Sequence, residues 1–332
     1  MKHKVILDTD PGVDDTMAIA YALCHPDIEL LALTTVFGNT NVEQTTLNAQ
    51  YVLNLFGAME VEVAKGASKP CVQAPRDTAE SVHGADGLGN CFPKNGQLLL
   101  HAGAAHASLA TASAAEYIVQ MARQNPAEIT LVAVGPLTNL RDALAIEPDL
   151  PDLLKEVIVM GGTVLEPGNV SPVAEANFLS DPHAADQIMA ADWPLTVVGL
   201  DVTHKILIGN QQLSQLCDEA GVIGEFIWQS SRFYVDFYAS RRGAAYDDQP
   251  ACAMHDAAAI AYLLMPDAFE VHTGAARVVD EGIAVGQFVL DTKGYDYALT
   301  HWKERHNNVS ACMRADSERV LADFLSTLIN SA

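Results

Sequence analysis

The run Val5-Ile6-Leu7-Asp8-Thr9-Asp10-Pro11-Gly12-Val13-Asp14-Asp15 decides how this chain is read. Val5 to Leu7 is a short β-favouring apolar stretch, Asp8 cuts it off, and Pro11-Gly12 enforces a tight turn directly after it. Asp and Glu make up 42 of the 332 residues, so eight positions should hold about one, yet residues 8–15 hold four. Four carboxylates at the end of a buried strand repel one another unless a cation neutralises them. Oxygen-only ligands call for Ca²⁺ or Mg²⁺ rather than zinc, and the spacing is not that of an EF-hand loop.

Similar strands recur along the chain. Ile28 to Phe37 ends at Gly38-Asn39, Ile129 to Val134 ends at Gly135-Pro136, Val157 to Met160 ends at Gly161-Gly162, and Leu195 to Leu200 ends at Asp201. Glu62 to Ala64 is a weaker strand, and a helical stretch covers about Asn41 to Phe56. The runs are almost continuously apolar rather than alternating, which marks parallel strands covered by helices on both faces. The expected fold is α/β: a single domain over residues 1–332 with an open, mostly parallel twisted sheet flanked by helices. Ligands of such sheets sit outside the carboxyl ends of the strands, where the polar and small residues accumulate here. Residues 66–106 read as a long loop of the kind that serves as a lid. Residues 213–246 read as helical and aromatic, 271–279 and 285–290 as a terminal strand pair, and 315–329 as a closing helix.

Composition narrows the function classes. A net charge of −23 with only 19 Lys and Arg argues against a nucleic-acid partner. No apolar run reaches the roughly 18 residues of a membrane span. The first apolar run is far shorter than the roughly 7–15 residues of a secretory core, so a cytoplasmic protein is expected. The six cysteines are scattered without a CxxC pair, which fits reduced thiols better than a disulfide framework or a zinc site.

Two further elements carry polar groups. Met254-His255-Asp256 precedes the apolar helical run Ala257 to Leu264, which places Asp256 at a helix N-terminus. Alone, Asp256 reads equally as an ordinary cap and His255 as a packed histidine. Asn169 through Asn177 reads by itself as a surface loop.

Taken together, the motifs resemble the inosine–uridine-preferring nucleoside hydrolases. DTDPGVDD at 8–15 is followed in order by TTVFGN at 34–39, HGADGLG at 83–89, AVGPLTNL at 133–140, VIVMGG at 157–162, GNVSPVAEANFLSDPHAA at 168–185 and MHDAAAIA at 254–261. GLDVTHKIL at 199–207 is similar to the bacterial ribonucleoside hydrolases of broad specificity. The resemblance implies the nucleoside hydrolase fold and calcium-dependent hydrolysis of the N-glycosidic bond of purine or pyrimidine ribonucleosides, yielding ribose and free base in salvage. It implies a homodimer or homotetramer, ribonucleosides as small-molecule partners, and neither nucleic acid nor membrane. Asp10, Asp15, Asp256 and the main-chain oxygen of Val134 would hold Ca²⁺. Asp14, Asn39, Asn169, Glu175 and Asn177 would bind the ribose, Met160 would lie against the sugar, and His83 would sit in a loop over the pocket. His255 would protonate the leaving base. The family usually carries Phe where this chain has Ala176, a change expected to alter packing beneath the site.

The chemistry asks for these residue types. N-glycoside hydrolysis passes through a ribosyl group with oxocarbenium character, so it needs a positioned water, support for the sugar and an exit for the base. Asp10 suits the general base toward a metal-oriented water, and amide and carboxylate oxygens suit sugar hydroxyls. Tyr234, Tyr238 and Tyr246 are candidates for stacking on the base. A haloacid-dehalogenase-like phosphatase shares the strand-plus-DxD start but needs a later lysine and an acidic pair after another strand. A non-catalytic nucleoside-binding protein would be favoured by loss of Asp10 or a metal carboxylate, and both are retained.

Overall fold

The computed structural model describes residues 2–93, 107–242, 250–295, 297–299, 302 and 308–332. The strands are β1 (His3–Thr9), β2 (Ile28–Thr35), β3 (Glu62–Lys65), β4 (Ile129–Ala133), β5 (Glu156–Met160), β6 (Leu195–Val198), β7 (Leu207–Gly209), β8 (Ala251–Ala253), β9 (Phe269–Val278), β10 (Phe288–Asp291) and β11 (Val309–Ala315). The helices are α1 (Val13–Cys24), α2 (Val42–Leu55), α3 (Glu80–His83), α4 (Ala114–Gln124), α5 (Thr138–Ile146), α6 (Leu150–Leu153), α7 (Ala176–Ser180), α8 (Pro182–Ala190), α9 (Leu200–Thr203), α10 (Asn210–Glu219), α11 (Gly221–Arg242), α12 (His255–Leu264) and α13 (Ser317–Asn330).

Nine strands form one sheet in the order β10-β9-β11-β6-β5-β4-β1-β2-β3. Every pairing from β11 through β6 to β3 is parallel, and β9 and β10 add an antiparallel edge. Side chains on a strand alternate between faces, so β1 feeds two cores. Val5 and Leu7 pack with Met17 of α1, Ile260 of α12 and Phe324 of α13. Ile6 packs on the other side with Ile118 of α4, Leu140 of α5 and Ile188 of α8. A strand buried on both faces has no place for an alternating pattern, which is why β1, β4 and β5 read as almost continuously apolar runs.

The chain leaves β1 toward β2 and β3 on one side and returns to β4, β5 and β6 on the other. The strand order reverses at β1, and the carboxyl ends of β1 and β4 therefore open a crevice between diverging crossovers. The cluster at residues 8–15 sits at that place. Asp8 itself belongs to the sheet interior. Its Oδ1 accepts from the Thr34 hydroxyl and from Asn139 Nδ2 at 2.7 Å, and burial pushes its carboxyl up to about 7.

Three readings shift. The helical stretch expected over 213–246 is two helices as far as residue 242, broken where Gly221 takes φ +56°, a left-handed conformation that favours glycine, and residues 243–246 lie outside the described set. Residues 309–315 form an additional strand between β6 and β9 that sequence pattern did not indicate. The 66–106 segment contains α3, and residues 94–106 of it lie outside the described set. No helix among the described residues is long and apolar enough to cross a membrane.

The closing helix α13 anchors on α1. Phe324 is fully buried and meets the Tyr21 ring edge-on at 5.3 Å, and the Tyr21 hydroxyl donates to Asp323. Phe324→Ala should cost about 3–5 kcal/mol, read as a clear fall in melting temperature; an unchanged melting temperature would mean that the fold does not depend on this contact.

Candidate active site

The crevice is a pocket of about 770 Å³ lined by Asp10, Asp14, Asn39, Val134, Met160, Glu175, Asn177 and Asp256, with His83, Tyr234, Tyr238 and His255 also on its wall. Its acidic part is built by the turn from β1 into α1 and by the first turn of α12. Asp15 turns back on that turn: its carboxylate accepts from the Thr9 hydroxyl, from Gly12 N at 2.8 Å, from Asp10 N at 3.2 Å and from Asn39 Nδ2 at 3.0 Å. Asp10 Oδ2 accepts from Asn39 N at 2.7 Å, while its Oδ1 is buried with no hydrogen-bond partner among the described residues. Two glycines make room for this carboxylate. A Cβ on Gly38 would lie 2.0 Å from Asp10 Oδ2, and one on Gly135 would lie 2.6 Å from Oδ1, so side chains at the ends of β2 and β4 are excluded by Asp10.

Oxygens of Asp14, Asp15 and Asp256 lie within 4.8 Å of one another, all three residues buried. Asp14 Oδ2 accepts from the Tyr234 hydroxyl at 3.3 Å, and its Oδ1 has no hydrogen-bond donor among the described residues. Burial and then the Asp15 charge push Asp14 up to about 8, and burial with the same neighbours lifts Asp10 and Asp256 well above the carboxylate range. Asp15 is raised less steeply, because the donors around it favour its charged form. Buried carboxylates with unpartnered oxygens are costly. This donor set, all hard oxygen and charged alike, fits a divalent cation of the calcium or magnesium class. Of the metal ligands expected from sequence, Asp15 and Asp256 meet here in company with Asp14, a residue expected on the sugar. Asp10 and Val134 line the same pocket, and the Val134 carbonyl accepts from Asn177 Nδ2 at 2.8 Å.

The sugar-side candidates are held from β5 and α7. Glu175 caps α7, its carboxylate accepting from Asn177 N at 2.8 Å, Phe178 N at 3.1 Å and Gly162 N at 2.9 Å. It therefore has a structural duty as well as a place on the pocket wall. Burial raises its pKa and these N–H groups work against the rise. Asn177 also contacts the Met160 carbonyl at 3.2 Å. Asn169 is exposed on the pocket rim. Ala176 corrects an expectation: it lines the pocket rather than packing beneath it, and the residue under the Gly161-Gly162 turn is Phe178, fully buried.

The remaining wall comes from α3, the segment just after α9, α11 and α12. His83 is buried, accepts at Nδ1 from Val13 N at 3.3 Å, and is pushed by burial down to about 3, so the imidazole is neutral. His255 is held at both nitrogens, with Nε2 2.6 Å from the Tyr238 hydroxyl and Nδ1 2.7 Å from the Thr203 hydroxyl. Thr203 is a site residue that sequence reasoning missed, although GLDVTHKIL was singled out; its position just after the end of β6 was the available signal. Tyr234 stacks at a tilt on His83, ring centres 5.1 Å apart. Tyr246 lies outside the described residues.

A model of the family described as inosine-uridine preferring nucleoside hydrolase matches residues 5–322. The chain is 34 % identical over 333 residues to the probable uridine nucleosidase 1 of Oryza sativa subsp. japonica, covering 99 % of this chain and 97 % of the relative. It is 35 % identical to the non-specific ribonucleoside hydrolase RihC of Escherichia coli (strain SE11), over 89 % of this chain and 90 % of the relative. Among solved structures, the plant nucleoside hydrolase PpNRh1 superposes with a TM-score of 0.89 at 32 % identity, over 99 % of both chains.

The raised carboxylates set a pH dependence. Without cation, a carboxyl whose folded pKa stands near 8 instead of 3.8 binds protons more tightly folded than unfolded, so stability is lost as pH rises between those values. The chelated protein should melt at falling temperature from pH 5.5 to pH 8, and Asp14→Asn should flatten that slope. Added calcium should raise the melting temperature more at pH 8 than at pH 5.5, because it replaces protons. A chelated protein whose melting temperature rises over this range would contradict the assignment.

Proposed function

The chain belongs to the inosine-uridine preferring nucleoside hydrolase family, and we propose that its pocket cleaves the N-glycosidic bond of purine and pyrimidine ribonucleosides with the help of one Ca²⁺. One observation carries the reading: buried carboxylates with unpartnered oxygens share a single pocket with a histidine–tyrosine wall. Family membership sets the phosphatase alternative aside, and retention of Asp10 and the acidic trio sets aside a binding protein without catalysis.

Asp10, Asp14, Asp15, Asp256 and the Val134 carbonyl are the groups that would hold the ion, and Ca²⁺ when bound would supply charge neutralisation and lower the pKa of a bound water. Asp10 is the general base. Its Oδ2 is fixed by Asn39 while Oδ1 has no hydrogen-bond partner among the described residues, which leaves that oxygen free to take a proton from water. Glu175, Asn169 and Asn177 bind ribose hydroxyls, and Met160 packs on the sugar. Neutral His83 stands beside Asp14, its Nδ1 3.7 Å from Oδ1. His255 delivers a proton to the departing base, its ring oriented by Thr203 and Tyr238. Tyr234 and Tyr238, one helical turn apart on α11, present their rings to the base. Six free thiols suit a reducing, cytoplasmic location.

The two proton-handling roles separate experimentally. Asp10→Asn should lose roughly 10²–10⁴-fold in turnover on every substrate, because water attack is common to all. His255→Ala should lose heavily on inosine yet turn over p-nitrophenyl riboside nearly normally, since nitrophenolate leaves without a proton. Equal losses on both substrates would make His255 a shaping residue. We further propose a homodimer or homotetramer; light scattering should give a multiple of 35.5 kDa, and the monomer mass at micromolar concentration refutes it.

A further inference from the structure

We infer that Asp201 is a positioning residue for the sugar side of the pocket: it acts through the 163–170 loop, and the turn that carries it also orients His255. The inference rests on the ribosyl-binding role proposed for Asn169.

The turn from Gly199 to Lys205 follows β6 and makes contacts in two directions. Toward the loop after β5, the buried Asp201 carboxylate gathers three consecutive backbone N–H groups: Oδ2 accepts from Val164 N at 2.7 Å, and Oδ1 from Leu165 N at 2.7 Å and Glu166 N at 3.1 Å. The Thr163 hydroxyl lies 3.3 Å from Oδ2. Lys205 adds a latch, its Nζ 2.8 Å from Glu166 Oε1 and donating to the Asp201 carbonyl at 2.8 Å. Gly199 lets the two segments touch: a Cβ there would meet the Gly162 carbonyl oxygen at 2.8 Å, and Leu200 N donates to that oxygen at 3.0 Å. Toward α12, Thr203 holds His255 Nδ1, and Met254 N donates to the Ile206 carbonyl at 2.9 Å.

The clamped loop leads directly into Gly168, Asn169 and Val170, which form part of the pocket rim. Leu165 is 80 % exposed and Val164 is the loop's apolar contact with the core, so the hydrogen bonds to Asp201 carry much of the hold on this loop. A charged acceptor shared by three amides is worth more than neutral bonds, and an amide in its place offers one acceptor and two donors to a ring of donors. Asp201→Asn should therefore release the loop while leaving the acidic trio in place.

Hydrogen exchange, binding of free ribose and steady-state kinetics test this on the full chain. In Asp201→Asn, amides 164–166 should exchange at least tenfold faster. Ribose affinity should fall roughly tenfold, and KM for inosine should rise by a similar factor with kcat within about threefold. In an Asn169→Ala background the same change should add little, because both variants remove one function. Unchanged protection at 164–166, unchanged ribose affinity, or additive losses in the double variant would overturn the inference. A wild-type protein that binds ribose through Asp201 yet cleaves no nucleoside would sink the hydrolase reading and keep this one. Active wild type with an Asp201→Asn variant of full ribose affinity would do the reverse.

Discussion

Mutual repulsion among Asp10, Asp14, Asp15 and Asp256 is the constraint around which the rest of the site is arranged. Burial raises the proton affinity of all four, and neighbouring charge raises that of Asp10, Asp14 and Asp256 further, so they cannot all ionise without a counter-charge. The fold answers with fixed dipoles where it can. Asn39 serves Asp10 and Asp15 together, and Gly12 and Asp10 turn their N–H groups onto Asp15. What these donors do not reach, the unpartnered oxygens of Asp10 and Asp14, marks the place where a cation is needed. Crowding also explains the local sequence. The glycines at 38 and 135 are dictated by Asp10, since any side chain there would occupy its carboxylate.

The topology makes this concentration feasible. Only at the point where strand order reverses do the ends of neighbouring parallel strands stand clear of crossover helices. β1 is that strand, buried on both faces and paired on both edges, so the turn leaving it is held by the stiffest part of the molecule. A general base has to keep its place to well under an ångström, and a strand end in the middle of a sheet is suited to that. The second half of the trio arrives from residue 256, in the first turn of α12, a helix packed on α1. Two helix starts meeting at one spot bring N-terminal dipoles to the acidic cluster as well.

How much of this could be read from sequence depended on how local each feature was. The carboxylate turn was legible because its residues are contiguous and improbable by composition. The central strands were legible because burial on both faces leaves a run that is apolar at almost every position. β11 was not: VSACMRA mixes small, thiol and charged residues, and it is a strand because β6 and β9 offer edges to it. Nor was the Thr203–His255–Tyr238 arrangement, which joins three helices whose residues are 52 and 17 positions from the histidine. Ala176 shows a subtler limit. The motif identified a departure at that position, but whether the missing ring lay under the site or on its wall was a matter of which way α7 turns, and that is set by Glu175 capping the helix.

The two sides of the pocket are built to different standards of rigidity, and this bears on how substrate preference can change. The acidic side is tied into sheet and glycine turns, where a single added carbon collides with backbone or carboxylate. The side proposed to face the base is a face of α11, where Tyr234 and Tyr238 lie one turn apart and Arg241 also lines the pocket. Side chains on one helix face can be exchanged without moving the backbone that carries the carboxylates. Tyr234 is the exception, since its hydroxyl reaches Asp14 and its ring packs on His83, so replacing it would disturb the acidic cluster. Tyr238 bonds His255 and meets the Tyr234 ring edge-on at 5.0 Å. Under the proposed function, a change of base preference is therefore less costly to the acidic side at α11 positions beyond Tyr234 than at Tyr234 itself.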